Sequence, residues 1–134
     1  MPRGQDRSPI WPRGFVGSLA HDDRMCVAAI ALRSDVPSLG VDIEPNEPLD
    51  DNLVPLVSNP PEQRRYSQDI LRSRLLFVIK EATYKAVYPL DKCFLDFHDI
   101  HVDLDARLAR TSSGRTTKIF FTCATHVAAL AVVT

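Results

Sequence analysis

The chain has 134 residues, 45% of them hydrophobic and 25% charged, a length and balance that fit one folded domain with a core of ordinary size. Sixteen Lys and Arg against seventeen Asp and Glu leave a formal charge of −1, which excludes a global pull toward nucleic acid or anionic lipid, so partners must be recognised locally. Cys26, Cys93 and Cys123 lack any metal or redox spacing and sit among apolar neighbours, which predicts reduced core thiols in a cytoplasmic protein; no stretch reads as a signal peptide or a membrane span.

Residues 1–9 carry Arg3, Arg7 and two prolines without periodicity and read as a loose tail ahead of a single domain over residues 10–134. Ile10 to Gly14 predicts a turn, because Pro12 restricts one dihedral and Gly14 accepts conformations that other residues refuse. Phe15 to His21 has strand character, and Gly17 and Ser18 are small enough to let a ligand approach the backbone. After a turn at Asp22-Asp23, the apolar run Met25 to Leu32 fits a strand buried on both faces, though a helix remains compatible with its periodicity.

Leu39 to Pro45 predicts a short strand on which Val41 and Ile43 face a core while Asp42 and Glu44 share the other side. Two carboxylates so placed repel one another unless a cation lies between them. Hard oxygen donors in that arrangement suit Mg2+ or Mn2+ better than zinc; a strand end with two solvated acids is the plainer reading.

A proline-rich connection leads to Asn59-Pro60-Pro61-Glu62, where Asn59 caps a helix and Glu62 reaches back to close the box, so a short helix runs from Pro60 to about Gln68. The longest helix spans about Ile70 to Val87, with Leu71, Leu75, Ile79, Ala82 and Ala86 as its buried stripe and Pro89 as its stop. Phe77, Glu81, Lys85 and Tyr88 line a neighbouring stripe, on which Glu81 and Lys85 have the spacing of a helical ion pair, ordinarily a solvated surface feature. Beyond it, Phe94 to Leu104 alternates late, with Ile100, Val102 and Leu104 on one side and Asp99, His101 and Asp103 on the other. With His98 nearby, that wet face could hold a metal, but hydrated surface residues are by far the plainer reading, since no Cys or second His lies at ligand spacing on it. Arg107 to Arg115 reads as a polar loop, Lys118 to Cys123 and Val127 to Val133 as a closing strand pair, and His126 as structural. The order of elements implies an α+β domain, a mainly antiparallel sheet with two helices packed on one side.

Three separated motifs then coincide. Trp11-Pro12, Gly14 and Gly17-Ser18-Leu19-Ala20-His21 come first, followed by Leu39-Gly40-Val41-Asp42-Ile43-Glu44-Pro45 and Lys80-Glu81-Ala82-Thr83-Tyr84-Lys85-Ala86-Val87-Tyr88-Pro89. Together they resemble the 4′-phosphopantetheinyl transferase superfamily, in its siderophore-synthesis, enterobactin synthetase component D-like branch, which the run Leu95 to Asp99 also resembles. The resemblance implies transfer of the 4′-phosphopantetheine arm of coenzyme A to a serine of an acyl or peptidyl carrier protein, with release of 3′,5′-ADP. It implies that Asp42, Glu44 and Glu81 hold Mg2+ against the coenzyme's diphosphate and that Glu81, or a water it orients, takes the serine proton. Lys80 and Lys85 would then bind phosphate oxygens, and His21 would contact a coenzyme phosphate.

Ala20 stands where the family often has serine, and Val78 where the branch often has serine, on a side of the helix away from Glu81. Members of that branch are pseudo-dimers of two half-domains, and this chain begins near the end of what would be the first. The basic residues for the adenine and 3′-phosphate therefore have no counterpart unless Arg3, Arg7 or Arg13 supplies one. Shorter members are half-domains that trimerise, so self-association could complete the cleft. Two other readings use the same residues: a coenzyme- or carrier-binding remnant without turnover, and a Mg2+-dependent phosphohydrolase or nuclease, against which the lack of a basic stripe weighs.

Overall fold

A computed structural model of the chain describes residues 9–66 and 68–134. The predicted tail, with Arg3 and Arg7, lies all but wholly outside the described residues. Gly14, at φ 86°, turns the chain into β1 (Phe15–His21), and Phe15 N donates to Pro12 O at 3.1 Å as the turn motif requires. At the next turn Asp22 Oδ1 accepts the N–H groups of Arg24 and Met25 at 2.8 and 2.7 Å, folding β2 (Cys26–Leu32) back along β1. These two strands form a sheet of their own.

The second sheet is built from β3 (Leu39–Pro45), β4 (Ile100–Asp103), β5 (Leu108–Thr111), β6 (Thr116–Cys123) and β7 (His126–Val133), in the order β3-β7-β6-β5-β4 with every pairing antiparallel. Among the described residues three helices, α1 (Val54–Val57), α2 (Pro60–Tyr66) and α3 (Ile70–Asp91), accompany it, α1 being a single turn inside the proline-rich connection. The class is α+β, as predicted. No helix among the described residues is long and apolar enough to cross a membrane.

α3 carries the main core. Leu75, Leu76, Val78, Ile79, Ala82 and Ala86 bury against Ile100, Val102, Ala109, Ile119, Val127 and Ala131 of the sheet. Leu71, assigned to this stripe, is exposed because it sits in the first turn, beside the Asp69 cap that accepts its N–H at 2.9 Å. Pro89 does not stop the helix. Its ring is tolerated in the last turn, and the helix runs on to Asp91 before Lys92 caps it in the left-handed conformation.

Other expectations need correction. β2 is half-buried on one face only: Val27 and Ala29 pack with Ala20 on Val41, Ile43 and Ala128, while Ile30 and Leu32 stay 58% and 47% exposed on the outer face. Arg107 to Arg115 contains β5, whose buried Ala109 and Thr111 alternate with Leu108 and Arg110 over only four residues. Phe97–Asp99 is a short 3-10 helix, and only Ile100–Asp103 of the expected long strand is extended. All three cysteines are exposed and unpaired, since apolar sequence neighbours do not place a side chain on the inner face.

Candidate functional site

β3 is the edge of its sheet, and its even residues face α3. Gly40 makes this possible: a Cβ there would stand 2.1 Å from the Ala82 carbonyl oxygen and 2.6 Å from the Ala86 nitrogen, so only glycine lets the helix backbone approach so closely. Two residues on, Asp42 meets Lys85 with Nζ to Oδ1 at 3.1 Å, and a further two bring Glu44 to Arg74, with Nη1 to Oε2 at 4.0 Å. Val41 and Ile43 point the other way, into the small core under the hairpin, as predicted. The acids thus face a helix across a narrow gap.

Lys85 Nζ also donates to the backbone carbonyls of Val41 and Leu19, at 3.1 and 3.3 Å, and so joins α3, β3 and β1 at one point. Its principal partner is Asp42, not Glu81. Asp42 is 9% exposed, and its Oδ2 is buried with no hydrogen-bond partner. Burial pushes the Asp42 carboxyl above the usual aspartate range, against the pull of Lys85. Glu81 is raised by burial and then by the negative charges of Asp42 and Glu44; Glu44 is raised by burial and by Asp42. Three mutually repelling acids are answered by one nearby ammonium and a more distant guanidinium.

Among the described residues, no three His, Cys, Asp or Glu side chains stand ready as a metal-binding cluster. The donor chemistry nevertheless fits a hard divalent ion. All three groups offer oxygen, one buried oxygen is unsatisfied, and Mg2+ needs only one or two carboxylates beside substrate phosphate.

Lys80 is the clear correction. It is fully buried, its Nζ 2.7 Å from Glu62 Oε1, and cannot meet a phosphate from solvent. Consecutive residues leave a helix about 100° apart, so Lys80 enters the core while Glu81 faces the acids. Gly17 and Ser18 do not open the backbone to a ligand either. A Cβ on Gly17 would lie 2.5 Å from the Trp11 ring, which occupies that space, and Ser18 Oγ accepts the Val41 N–H at 3.0 Å. His21 is exposed at the end of β1 and lines the same open cleft, about 1300 Å³ in volume, as Asp42, Glu44, Lys85, Trp11 and Tyr88.

Arg74 was missed, although it lies seven residues before Glu81, two helical turns along the same face. The alternative metal face is spent on structure. Asp99 closes a capping box with Asp96, Asn59 Nδ2 donates to His101 Nδ1 at 3.2 Å, Asp103 pairs with Arg65 at 3.4 Å, and His98 Nε2 donates to Pro55 O at 2.8 Å. His126 holds the hairpin turn, with Nε2 2.6 Å from Asp22 Oδ2. Val78 is fully buried in the main core, away from the acids.

Fold and site together define an α+β protein whose edge strand and long helix set Asp42 and Glu44 beside Lys85 along one wall of an open cleft. Residues 38–132 match the 4′-phosphopantetheinyl transferase superfamily, and residues 1–31 match the 4′-phosphopantetheinyl transferase N-terminal domain. The chain belongs to the 4′-phosphopantetheinyl transferase superfamily. It is 39% identical over 118 residues to the 4′-phosphopantetheinyl transferase Npt of Nocardia iowensis, covering 86% of this chain and 53% of that protein. Against the 4′-phosphopantetheinyl transferase Svp of Streptomyces mobaraensis the identity is 40% over 108 residues, with 76% and 44% covered. Against the 4′-phosphopantetheinyl transferase PptT of Mycobacterium tuberculosis it is 37% over 107 residues, with 77% and 47% covered. The chain spans about half the length of these relatives.

Proposed function

We propose that this chain carries the metal-dependent half of a transferase that moves the 4′-phosphopantetheine arm of coenzyme A to a serine hydroxyl of an acyl or peptidyl carrier protein. The observation that carries the reading is the unsatisfied, buried Oδ2 of Asp42, set among acids in which burial first, and then mutual repulsion, raises the carboxyls of Glu44 and Glu81. Asp42, Glu44 and Glu81 would hold Mg2+, which when bound neutralises charge on the diphosphate. Glu81 accepts the proton of the attacking serine hydroxyl, directly or through a water it orients. Its raised carboxyl suits that task, because a base nearer working pH transfers protons more effectively. The new bond joins serine oxygen to phosphorus, the phosphorus–oxygen bond to the nucleotide breaks, and 3′,5′-ADP leaves with both electrons of that bond. Lys85 supplies positive charge at the acids, and His21 at the rim contacts a phosphate of the coenzyme. Three exposed, unpaired cysteines agree with a reducing, cytoplasmic setting.

Self-association belongs to the same reading. The exposed apolar face of β2 and the openness of the cleft fit a second copy that closes the site, and light scattering with and without coenzyme A tests it. A second reading is binding without turnover, in which Lys85, already paired with one oxygen of Asp42, keeps the acids from loading a metal. One experiment separates the two. The chain is mixed with apo carrier protein, coenzyme A and Mg2+, and mass spectrometry looks for the added arm. Transfer that disappears in Asp42→Ala and Glu81→Ala supports the enzyme; coenzyme binding without transfer supports the remnant; wild-type rates in either variant remove the metal assignment.

A further inference from the structure

Lys80 and Glu62 form an ion pair with no exposed side-chain surface on either partner. Lys80 Nζ uses all three of its protons, donating to Val57 O at the end of α1 at 2.6 Å, to Glu62 Oε1 on α2 at 2.7 Å and to Phe97 O in the 3-10 helix at 3.0 Å. Glu62 is equally committed. Its Oε1 also accepts the Asn59 N–H at 2.9 Å, and its Oε2 accepts the Val102 N–H of β4 at 2.8 Å. One buried pair therefore ties α3 to four other segments at a single level of the helix.

That level is the one next to Glu81. Aliphatic contacts such as those of Ile79 and Ala82 resist separation but specify rotation weakly, whereas directed bonds to a buried ammonium are satisfied in one orientation only. A small rotation of α3 would carry Glu81 and Lys85 off β3 while leaving much of the apolar contact in place. On the other side of the helix, Gly40 sets how closely α3 approaches, and the directed bonds to β3 and β1 come from Lys85 itself, one of the side chains being positioned.

We infer that the Lys80–Glu62 pair is a positioning device that sets the rotation of α3, holding Glu81 and Lys85 against the acids of β3. The inference deepens the proposed function and rests on the roles given there to Glu81 and Lys85. Lys80 meets neither substrate nor metal, so it acts only through the helix.

The test uses the full chain with Lys80→Met and with the double variant Lys80→Met/Glu62→Gln, in which no charge is left buried alone. The single variant is expected to lose melting temperature, and the double variant to recover part of it. Two-dimensional amide NMR of the double variant is expected to show shifts reaching Gly40, Asp42, Glu81 and Lys85. Transfer should fall about tenfold or more in kcat, with KM for coenzyme A changed far less. Shifts confined to residues touching the pair, such as Asn59 and Val102, with kcat retained, would reduce the pair to a structural staple and overturn the inference. If the wild-type chain transfers nothing, the transferase reading fails by itself, and the extent of the amide shifts still decides whether the pair positions the helix.

Discussion

Lys85 places its ammonium 3.1 Å from one oxygen of Asp42 and leaves the other oxygen of that carboxylate buried and unbonded. An ion pair that satisfies half of a buried acid is a poor structural staple, but it is well suited to a site in which a second cation arrives with substrate.

Replacing Lys85 by Met should destabilise the domain by about 1–3 kcal/mol at neutral pH, since Asp42 would lose its charged partner while remaining buried. The Asp42 carboxyl already lies above its ordinary range, and without Lys85 it would rise further. The sign follows: the folded state then binds a proton more readily than the unfolded chain, so the loss is full above the folded pKa and fades as pH falls toward the ordinary aspartate value. Denaturant titrations at several pH values measure it, and a loss independent of pH would contradict the assignment.

Glu81→Gln should raise the melting temperature at pH 7 to 8 while transfer disappears. Burial and the charges of Asp42 and Glu44 raise the Glu81 carboxyl, so its ionised form costs the folded state stability at neutral pH. The gain should shrink as pH is lowered toward the ordinary glutamate range, where wild-type Glu81 is itself protonated. Thermal scans across that range check it; a variant less stable than wild type at pH 7 would mean that Glu81 makes a net favourable contact.

Gly40→Ala should be among the most damaging single-methyl additions. The new Cβ would overlap the carbonyl oxygen of Ala82 and the nitrogen of Ala86, both backbone atoms that cannot turn aside. Overpacking of this kind costs about 1–3 kcal/mol, and moving α3 off β3 should also reduce transfer. An unchanged melting temperature would show that the helix can retreat freely.

Trp11 is the only tryptophan of the chain and lines the cleft with its ring over Gly17, so its fluorescence should report occupancy. Coenzyme A is expected to change the emission along a saturating curve, and Gly17→Ala to alter the emission of the free protein by displacing the ring. A flat titration alongside binding detected by calorimetry would place the coenzyme away from Trp11.

Much of the site was legible because its logic is local. Asp42 and Glu44 share a face in any strand, Glu81 and Lys85 share one in any helix, and Asn59 and Glu62 cap each other, with Glu62 N donating to Asn59 Oδ1 at 3.0 Å, over a span of three residues. β5 escaped notice because one wet face on a four-residue strand leaves too short an alternation. The expectation of buried cysteines fails because apolar neighbours in sequence do not bury a residue at a strand end, as Cys26 and Cys123 are, or beyond a helix, as Cys93 is.

The sequence by itself determined the class of fold, the acids on their shared faces and the family. Only the tertiary structure decided between the two lysines of α3: Lys80 is claimed by Glu62, eighteen residues away, and Lys85 by Asp42, forty-three away. Periodicity says which residues lie together on one element, but burial and the choice of ion partner depend on which other elements pack against it, and distant parts of the chain settle that together.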